Sequence, residues 1–401
     1  TFPITFTVIS LSIGLGIGTS AVIAKTLGTG NDDEARDIAT VALIITSVIV
    51  ILLSFVGYIY SDEIFLLLGA KPSLLGLIHD YMDLWFLGSV GLVAPMIGNA
   101  ILRASGDTHT PSIVMGSAGL INAILDPIFI FGFGPVPAMG IQGAALATVV
   151  SWGFGLAYIT YILGFQRNLI HLTLPAINVI KESSAKILKI GLPAAGANML
   201  TPIAAAIMTA IAATYGESAV AAFGVGSRIE SIACLVVLAM SMTLPPFISQ
   251  NLGANKLDRV ESAYRVSVKF VMLWQIGIYA LLMLLAPFIA SVFSKEQSVA
   301  DLITLFMWIL PLGYGLQGVI ILTNSSFNAL HKPMIALVLS ILRLFVFYVP
   351  LAYLGSKLFD IEGFFVGAVL GNLGMAVVSY YLFIKQFNDK SLLKLQKSHN
   401  E

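Results

Sequence analysis

Long apolar stretches constrain this chain more than any other feature of its sequence. Crossing the hydrocarbon core of a bilayer as a helix takes about 20 mostly apolar residues. Six stretches meet this requirement without a single charge: Val41–Tyr60, Met139–Phe165, Leu192–Gly216, Ser231–Asn255, Phe270–Ser294 and Leu302–Leu330. Weaker ones fill the gaps between them: Phe2–Ala24, Leu74–Leu102, Pro111–Phe131, Pro333–Leu354 and Gly363–Ile384. We therefore predict eleven transmembrane helices.

The composition supports a membrane environment rather than water. Hydrophobic residues make up 58% of the chain and charged residues only 10%, whereas soluble domains carry about 25% charged residues. Strands are not expected, because membrane barrels show alternating hydrophobicity over about 10 residues instead of continuous apolar runs. The sequence predicts an all-α polytopic membrane protein. The zero net charge gives no indication of a nucleic-acid partner.

Lysine and arginine residues predict the orientation and the domain organisation. Only Lys71, Lys295 and Lys357 fall on one side of the predicted helices, and nearly all the others fall on the opposite side, which is therefore cytoplasmic. The one long connection lies in mid-chain. We predict an N-terminal lobe over 1–165, a cytoplasmic linker over 166–184, a C-terminal lobe over 185–387 and a cytoplasmic tail over 388–401.

An internal duplication relates the two lobes. Ile23–Gly28 matches Ile248–Gly253, and Asn99–Ala104 matches Asn324–Ala329 at the same spacing. Further along, Asp126-Pro127 faces Val349-Pro350, and Ile141-Gln-Gly143 faces Ile361-Glu-Gly363. Parallel copies of this kind imply two bundles related by an axis along the membrane normal. The second copy has one more helix than the first, so we expect the chain to be truncated by one helix at its start, with five plus six of twelve helices present.

Asp126 is the clearest functional candidate, because an ionisable side chain inside the membrane is costly. Asn122 lies four residues earlier and projects from the same helix face. A carboxylate and an amide oxygen one turn apart suit a hard cation such as Na⁺, or a protonatable acid with a hydrogen-bond partner. Pro127 also frees the carbonyl of Ala123 beside the pair. The alternative is an aspartate near the outer interface that caps the helix end.

Other polar residues occur inside the predicted spans. Arg343 has no acid near it in sequence, so it either lines an interior cavity or meets a carboxylate from another helix. Arg228 and Glu230 are two residues apart and face different sides, which favours snorkelling or pairing across helices. Polar side chains commonly join membrane helices, and this applies to Asn198, Gln317, Asn324 and Thr148 taken one at a time.

Enzyme signatures are missing from the sequence. It contains no Walker loop, no HExxH, no GxSxG and no Cys/His cluster. The single cysteine, Cys234, sits in an apolar run and is expected to be a packing residue. We expect neither enzymatic activity nor a bound cofactor.

Several segments together resemble a known family. They are IGLGIGTSAVIAKTLGTGNDDEA from Ile13, INAILDPIFIFGFG, GIQGAALATVVS, FGVGSRIESIACL and SQNLGANKLDR, in that order. The chain is similar over its whole length to multidrug and toxic compound extrusion (MATE) transporters, above all to their bacterial DinF/MepA-like branch. The resemblance implies twelve helices in two six-helix lobes around a central cavity. It also implies exchange of lipophilic organic cations for Na⁺ or H⁺ as the lobes rock.

The resemblance also assigns residues. The coupling-ion site matches Asn122, Asp126 and Thr148, with Na⁺ possible at Asp126 and Asn122. The expected substrate cavity includes Asn198, Gln317, Asn324 and Arg343. This branch also uses an aspartate on the first helix, which falls in the part expected to be missing. Other branches carry cavity acids at positions that hold Asn198 and Gln317 here. Asp126 is therefore the acid expected to couple transport to the ion.

These observations predict a secondary active efflux transporter that exchanges organic cations or drugs for Na⁺ or H⁺. We expect a monomer in the bacterial inner membrane, with the lipid bilayer and small organic cations as its partners. The alternative is a lipid-linked saccharide flippase of the same superfold, because Arg228 and Arg343 would suit phosphate headgroups. An intramembrane enzyme or a channel is a further, more distant alternative.

Overall fold

The computed structural model describes residues 2–171 and 173–388, so Thr1 and most of the predicted tail lie outside the described residues. The chain forms the following helices in order: α1 (Phe2–Gly28), α2 (Asp32–Ile59), α3 (Ser61–Leu67), α4 (Leu75–Ala104), α5 (His109–Phe131), α6 (Gly140–Tyr161), α7 (Ile177–Ala213), α8 (Glu217–Ala233), α9 (Leu235–Gly253), α10 (Leu257–Phe293), α11 (Gln297–Ile309), α12 (Tyr314–Ala329), α13 (Pro333–Ile341) and α14 (Val349–Asn388). Within the described ranges, the only extended pairing is an isolated bridge between Phe133 and Val136.

The predicted apolar runs form helices long enough to cross a bilayer. Over residues 2–171 and 173–388, ten helical stretches have the necessary length and composition. The last of them, Pro333–Phe387, contains two of the predicted spans and is interrupted by non-helical backbone at Phe359 and Asp360. The all-α membrane fold is therefore confirmed.

Two boundaries differ from the predictions. The span expected over Ser231–Asn255 is the second part of a longer helical segment that begins at Glu217 and breaks at Cys234. Counting only charge-free residues excluded its first part, which contains Arg228 and Glu230. In mid-chain, helix α7 already begins at Ile177, inside the segment predicted as a linker.

The helix ends follow the spacing of the duplicated sequence. Helices α1 and α9 end at Gly28 and Gly253, and α4 and α12 end at Ala104 and Ala329. These two pairs have the same separation, which is also the separation of the matching sequence blocks. The duplication seen in the sequence therefore extends to the helix boundaries.

Left-handed backbone recurs at pairs of positions related by the repeat. These pairs are Gly30 and Asn255, Gly106 and His331, and Gly140 and Asp360. Glycine adopts positive φ readily, whereas L side chains avoid it, with Asn and Asp tolerating it best. The first copy has glycine at all three turns. The second copy keeps the same turns with side chains, and Asp360 (φ 51°, ψ −139°) is the least suited of these.

The chain folds into two compact units, one up to Ala195 and the other from Gly196. The core of the first unit includes Trp85, which meets the rings of Phe86 and Trp152 edge to face at 5.9 and 6.0 Å. In the second unit, Phe306 packs against Phe223 and Phe365. The free Cys234 is buried beside this second core, as expected for a packing residue. The lobe boundaries drawn from the sequence remain predictions.

Candidate functional site

The first unit brings the three predicted coupling residues together on adjacent helices. Helix α5 presents Asn122 and Asp126, and α6 packs beside it with Thr148. Asn122 Nδ2 donates to Asp126 Oδ1 at 3.4 Å and to Thr148 Oγ1 at 3.5 Å. Thr148 Oγ1 in turn donates to the Ala144 carbonyl at 2.9 Å, which leaves its lone pairs for Asn122. The pairing on α5 follows from the sequence spacing, and the position of Thr148 was implied by the family resemblance.

Both ends of α5 are fixed by local chemistry. At its start, Asp107 Oδ1 accepts hydrogen bonds from the backbone N–H groups of His109 and Thr110 at 3.1 and 2.9 Å. At its end, Gly132 adopts φ 81°, and the backbone carbonyl of Val136 lies 3.0 Å from where a Cβ would stand. A residue with a side chain would be strained there. These two ends set the register in which Asn122 and Asp126 face α6.

The Asp126 carboxylate is largely uncommitted. It is half-buried, and the long contact with Asn122 is the one hydrogen bond it accepts from the residues that the structure describes. The Tyr81 phenol lies within electrostatic range of it. An ionised aspartate at the centre of a membrane helix costs about 2.5–3.5 kcal/mol, which is an upper bound for Asp126 because it lies near the end of α5. A bound cation or a proton would remove that cost, and the oxygens of Asp126, Asn122 and Thr148 are of the hard type that such a cation prefers.

A cavity of about 240 Å³ lies next to this cluster within the first unit. Its walls are mainly apolar, and its polar residues are Asn99, Asn122, Thr148 and Ser151. A concave, mostly apolar space with a few convergent polar groups is the usual form of a small-molecule site. Asn122 and Thr148 belong to both the cavity wall and the Asp126 cluster, so the cluster and the cavity share residues.

Asn99 lines this cavity, whereas in the sequence it stood out only as the first residue of the repeated block Asn99–Ala104. It is 1% exposed, and both of its side-chain polar atoms lack a hydrogen-bond partner in the described chain. A buried amide without partners is unusual, since buried polar groups are normally satisfied. The sequence signal was present: an asparagine one turn after Pro95 inside an apolar span. Pro95 lines the same cavity.

The second unit gathers two of the predicted cavity residues around an acid. Gln317 Nε2 donates to Glu230 Oε1 at 3.0 Å, joining α12 to α8. The Arg343 guanidinium lies within electrostatic range of the same carboxylate. Arg343 makes no ion pair with this carboxylate, so both alternatives predicted for it, an interior cavity and a carboxylate from another helix, stay predictions. Glu230 was recognised in the sequence as an intramembrane acid but not as a member of a site.

The remaining predicted residues lie elsewhere. Asn324 Nδ2 donates to Ser340 Oγ at 3.0 Å, while its Oδ1 is buried without a partner in the described chain. Asn198 is half-buried on α7. Arg228 is exposed, as expected for a side chain that does not pair with Glu230 two residues away.

Two helical units with spans of membrane length and ionisable residues inside them define a polytopic membrane protein. The MatE family model matches residues 1–128 and 193–354 of this chain. The chain therefore belongs to the MATE family of transporters, and it is a multi-pass membrane protein.

Individual relatives agree with this assignment. A FAD transporter from Shewanella oneidensis is 39% identical over 382 residues, covering 95% of this chain and 84% of the relative. The multidrug export protein MepA from Staphylococcus aureus is 24% identical over 371 residues, covering 90% and 79%. Among solved structures, the Vibrio cholerae MATE transporter VcmN in its bent form superposes with a TM-score of 0.93 at 33% identity, covering 98% of this chain and 88% of that one.

Proposed function

We propose that the protein is a secondary active exporter of the bacterial inner membrane, in which Asp126 binds the coupling Na⁺ or H⁺. The observation that carries this proposal is the cluster of Asp126, Asn122 and Thr148 at the edge of a cavity. Asp126 supplies the charge, while Asn122 and Thr148 supply neutral oxygens. The amide of Asn122 needs only to rotate to present its oxygen instead of its nitrogen to a cation.

Coupling follows from the charge of one carboxylate. Ionised Asp126 is tolerated only in a conformation that gives it water, and neutralised Asp126 is tolerated in a closed one. Ion binding therefore shifts the equilibrium between conformations by its differential affinity for them. Because Asn122 and Thr148 also line the cavity, a substrate held there competes with or distorts the ion site. Exchange of one for the other is the expected result.

Two substrate classes are candidates. Lipophilic organic cations are favoured by two relatives at 24% to 25% identity, one named a multidrug export protein and the other a probable multidrug resistance protein. Flavin dinucleotides are favoured by the relative that is named a FAD transporter, at 39% identity. The higher identity supports the second class. The lysine and arginine distribution supports a cytoplasmic mid-chain segment and C-terminus, so that export proceeds away from that side.

Transport in proteoliposomes under imposed gradients tests the proposal. Vesicles containing the purified protein are loaded with either ethidium or FAD, and a Na⁺ gradient or a pH gradient is then applied separately. Acceleration of substrate movement by one gradient, with counter-movement of that ion, is the expected result. Substrate movement that is unchanged by both gradients would contradict a coupled exporter. Ion conductance without substrate would instead indicate a channel.

A further inference from the structure

Arg343 is a positively charged group that the second unit leaves without a direct partner. It lies half-buried in a π-helical stretch, Leu342–Tyr348, within the apolar segment Pro333–Phe387. Its Nε is fully enclosed and has no hydrogen-bond partner, and no hydrogen bond or ion pair reaches the guanidinium from residues 2–171 or 173–388. Arginine offers five donors in a fixed fork. An enclosed Nε–H without a partner inside a membrane segment indicates a missing acceptor.

Glu230 is the nearest acid, but it is held by another residue. Gln317 donates to the Glu230 carboxylate at 3.0 Å, whereas Arg343 acts on it only at longer range, without an ion pair. The other titratable groups in range of Glu230 in the described chain are Tyr314, Tyr348 and Cys234. Glu230 therefore reduces the electrostatic cost of the arginine without satisfying its donors. Glu230 is therefore a nearby negative charge that does not pair directly with Arg343.

A second donor without an acceptor lies in the same cluster. The Tyr314 hydroxyl is buried, the residue being 2% exposed, and it has no hydrogen-bond partner in the described chain. Tyr314 interacts electrostatically with Glu230, as Arg343 does, so both donors lie within electrostatic range of one carboxylate. Two unsatisfied donors, one of them charged, fit a group that brings several anionic oxygens. Phosphate oxygens are the best match for a guanidinium fork.

The helix that holds Arg343 adds a further indication. In the repeat, Asp126-Pro127 of the first unit corresponds to Val349-Pro350 of the second. The second copy therefore lacks the acid, and it carries an arginine earlier on the same segment. The π-helical backbone around Arg343 is rare and is often found at functional sites. The two copies have thus diverged to opposite charge, one suited to a cation and the other to an anion.

We propose that Arg343 and Tyr314 bind a phosphate group of the transported molecule, with Glu230 as the nearby charge that offsets Arg343 while no phosphate is bound. This inference rests on the proposed transport function and narrows its substrate class to phosphate-bearing molecules. Such a group belongs either to a soluble nucleotide such as a flavin dinucleotide or to the headgroup of a lipid pyrophosphate. Both present the same oxygens to the arginine.

Binding to the purified, detergent-solubilised protein tests this site. FAD and riboflavin share the isoalloxazine ring, but only FAD carries phosphates. We expect the wild type to prefer FAD over riboflavin. The change Arg343→Gln is expected to weaken FAD binding about 10-fold or more, as for the loss of a charged hydrogen bond, and to leave riboflavin binding unchanged. Glu230→Gln removes the competing charge and is expected to tighten FAD binding.

A matched arginine controls for general loss of charge. Arg228 is exposed in the same unit, so Arg228→Gln is expected to bind both flavins as the wild type does. Arg343→Lys keeps the charge but loses the fork, and partial retention of FAD binding is expected of it. Elution of each variant as a monodisperse peak shows that it is folded. Equal effects of Arg343→Gln and Arg228→Gln, or parallel loss of riboflavin, would overturn the proposal.

Two further experiments complete the test. One distinguishes a nucleotide from a lipid as the source of the phosphate, and the other distinguishes the phosphate site from the proposed coupling site. If FAD does not bind, binding of farnesyl pyrophosphate that depends on Arg343 would support the phosphate site with a lipid as its source. Binding of neither compound would overturn the inference. FAD binding is measured without an ion gradient, so the effect of Arg343→Gln is separate from coupling at Asp126. Coupled transport by Asp126→Asn would show that Asp126 is not the coupling site, and it would leave the proposal of the phosphate site unaffected.

Discussion

Asn122 Nδ2 lies 3.5 Å from Thr148 Oγ1, and this contact connects helix α5 to α6 beside Asp126. If Thr148 supplies a neutral oxygen to the coupling ion, then Thr148→Val removes that oxygen at nearly constant volume. We expect the ion concentration for half-maximal transport to rise about 5- to 10-fold, as for the loss of one hydrogen bond or ligand. Thr148→Ser keeps the oxygen and is expected to resemble the wild type. Equal ion dependence of all three proteins would exclude Thr148 from the site.

Asn99 offers a test that separates function from stability. Its side chain is buried without partners in the described chain and lines the cavity. Replacing an unsatisfied polar group by an apolar one of similar shape is neutral or stabilising. Asn99→Leu is therefore expected to unfold at the same or a higher temperature and yet to transport substrate about 10-fold more slowly. A variant that loses stability and keeps transport would show that the amide is structural.

The repeat predicts that exchanging glycine and histidine at two equivalent turns has opposite effects on stability. His331 holds φ 57° where Gly106 holds φ 92°. Because an L side chain in this conformation costs about 1–2 kcal/mol, Gly106→His is expected to destabilise the protein and His331→Gly to preserve or raise its stability. Thermal unfolding in detergent measures both. Stabilisation by Gly106→His would contradict the structural equivalence of the two turns.

Asp107 predicts a stability change at acidic pH. Desolvation alone would raise the pKa of this loop carboxyl, but hydrogen bonds from Thr110 and His109 and the charge of Arg167, whose Nη2 lies 2.8 Å away, hold it below its usual value. A depressed pKa adds stability that is present above the unfolded-state value of about 3.9 and is lost as the pH falls through the folded-state pKa.

We therefore expect Asp107→Asn to be less stable than the wild type at pH 7, by about 1 kcal/mol. The difference is expected to shrink below about pH 4, as the wild-type carboxyl is protonated. Thermal unfolding of both proteins across this range provides the measurement. A difference that is constant with pH would mean that the charge of Asp107 plays no part.

Much of the fold could be predicted because the bilayer imposes simple rules on the chain. Apolar runs of the required length identified the spans, and matched blocks such as Ile23–Gly28 and Ile248–Gly253 predicted where helices end. The contact of Asn122 with Asp126 followed from helical periodicity alone. The Thr148 contact did not, since it depends on how α6 packs against α5, and it was reached only through the family resemblance.

Contacts between distant helices were the part that sequence could not supply. Gln317 and Glu230 are 87 residues apart, and nothing in their spacing indicates that they meet. The π-helical turns around Arg343 leave no mark in an apolar sequence, although they determine where the guanidinium points. Asn99 carried a readable signal, but its lack of partners is a property of packing.

The central claim is that the charge of Asp126 couples transport to an ion. The most direct measurement is substrate movement by Asp126→Asn in proteoliposomes under the gradient that drives the wild type. The exposed Asp80, with no hydrogen-bond partner in the described chain, provides the matched control Asp80→Asn. We expect Asp126→Asn to lose gradient-driven transport and Asp80→Asn to keep it, with both variants reconstituting equally well. Undiminished gradient-driven transport by Asp126→Asn would contradict coupling through Asp126.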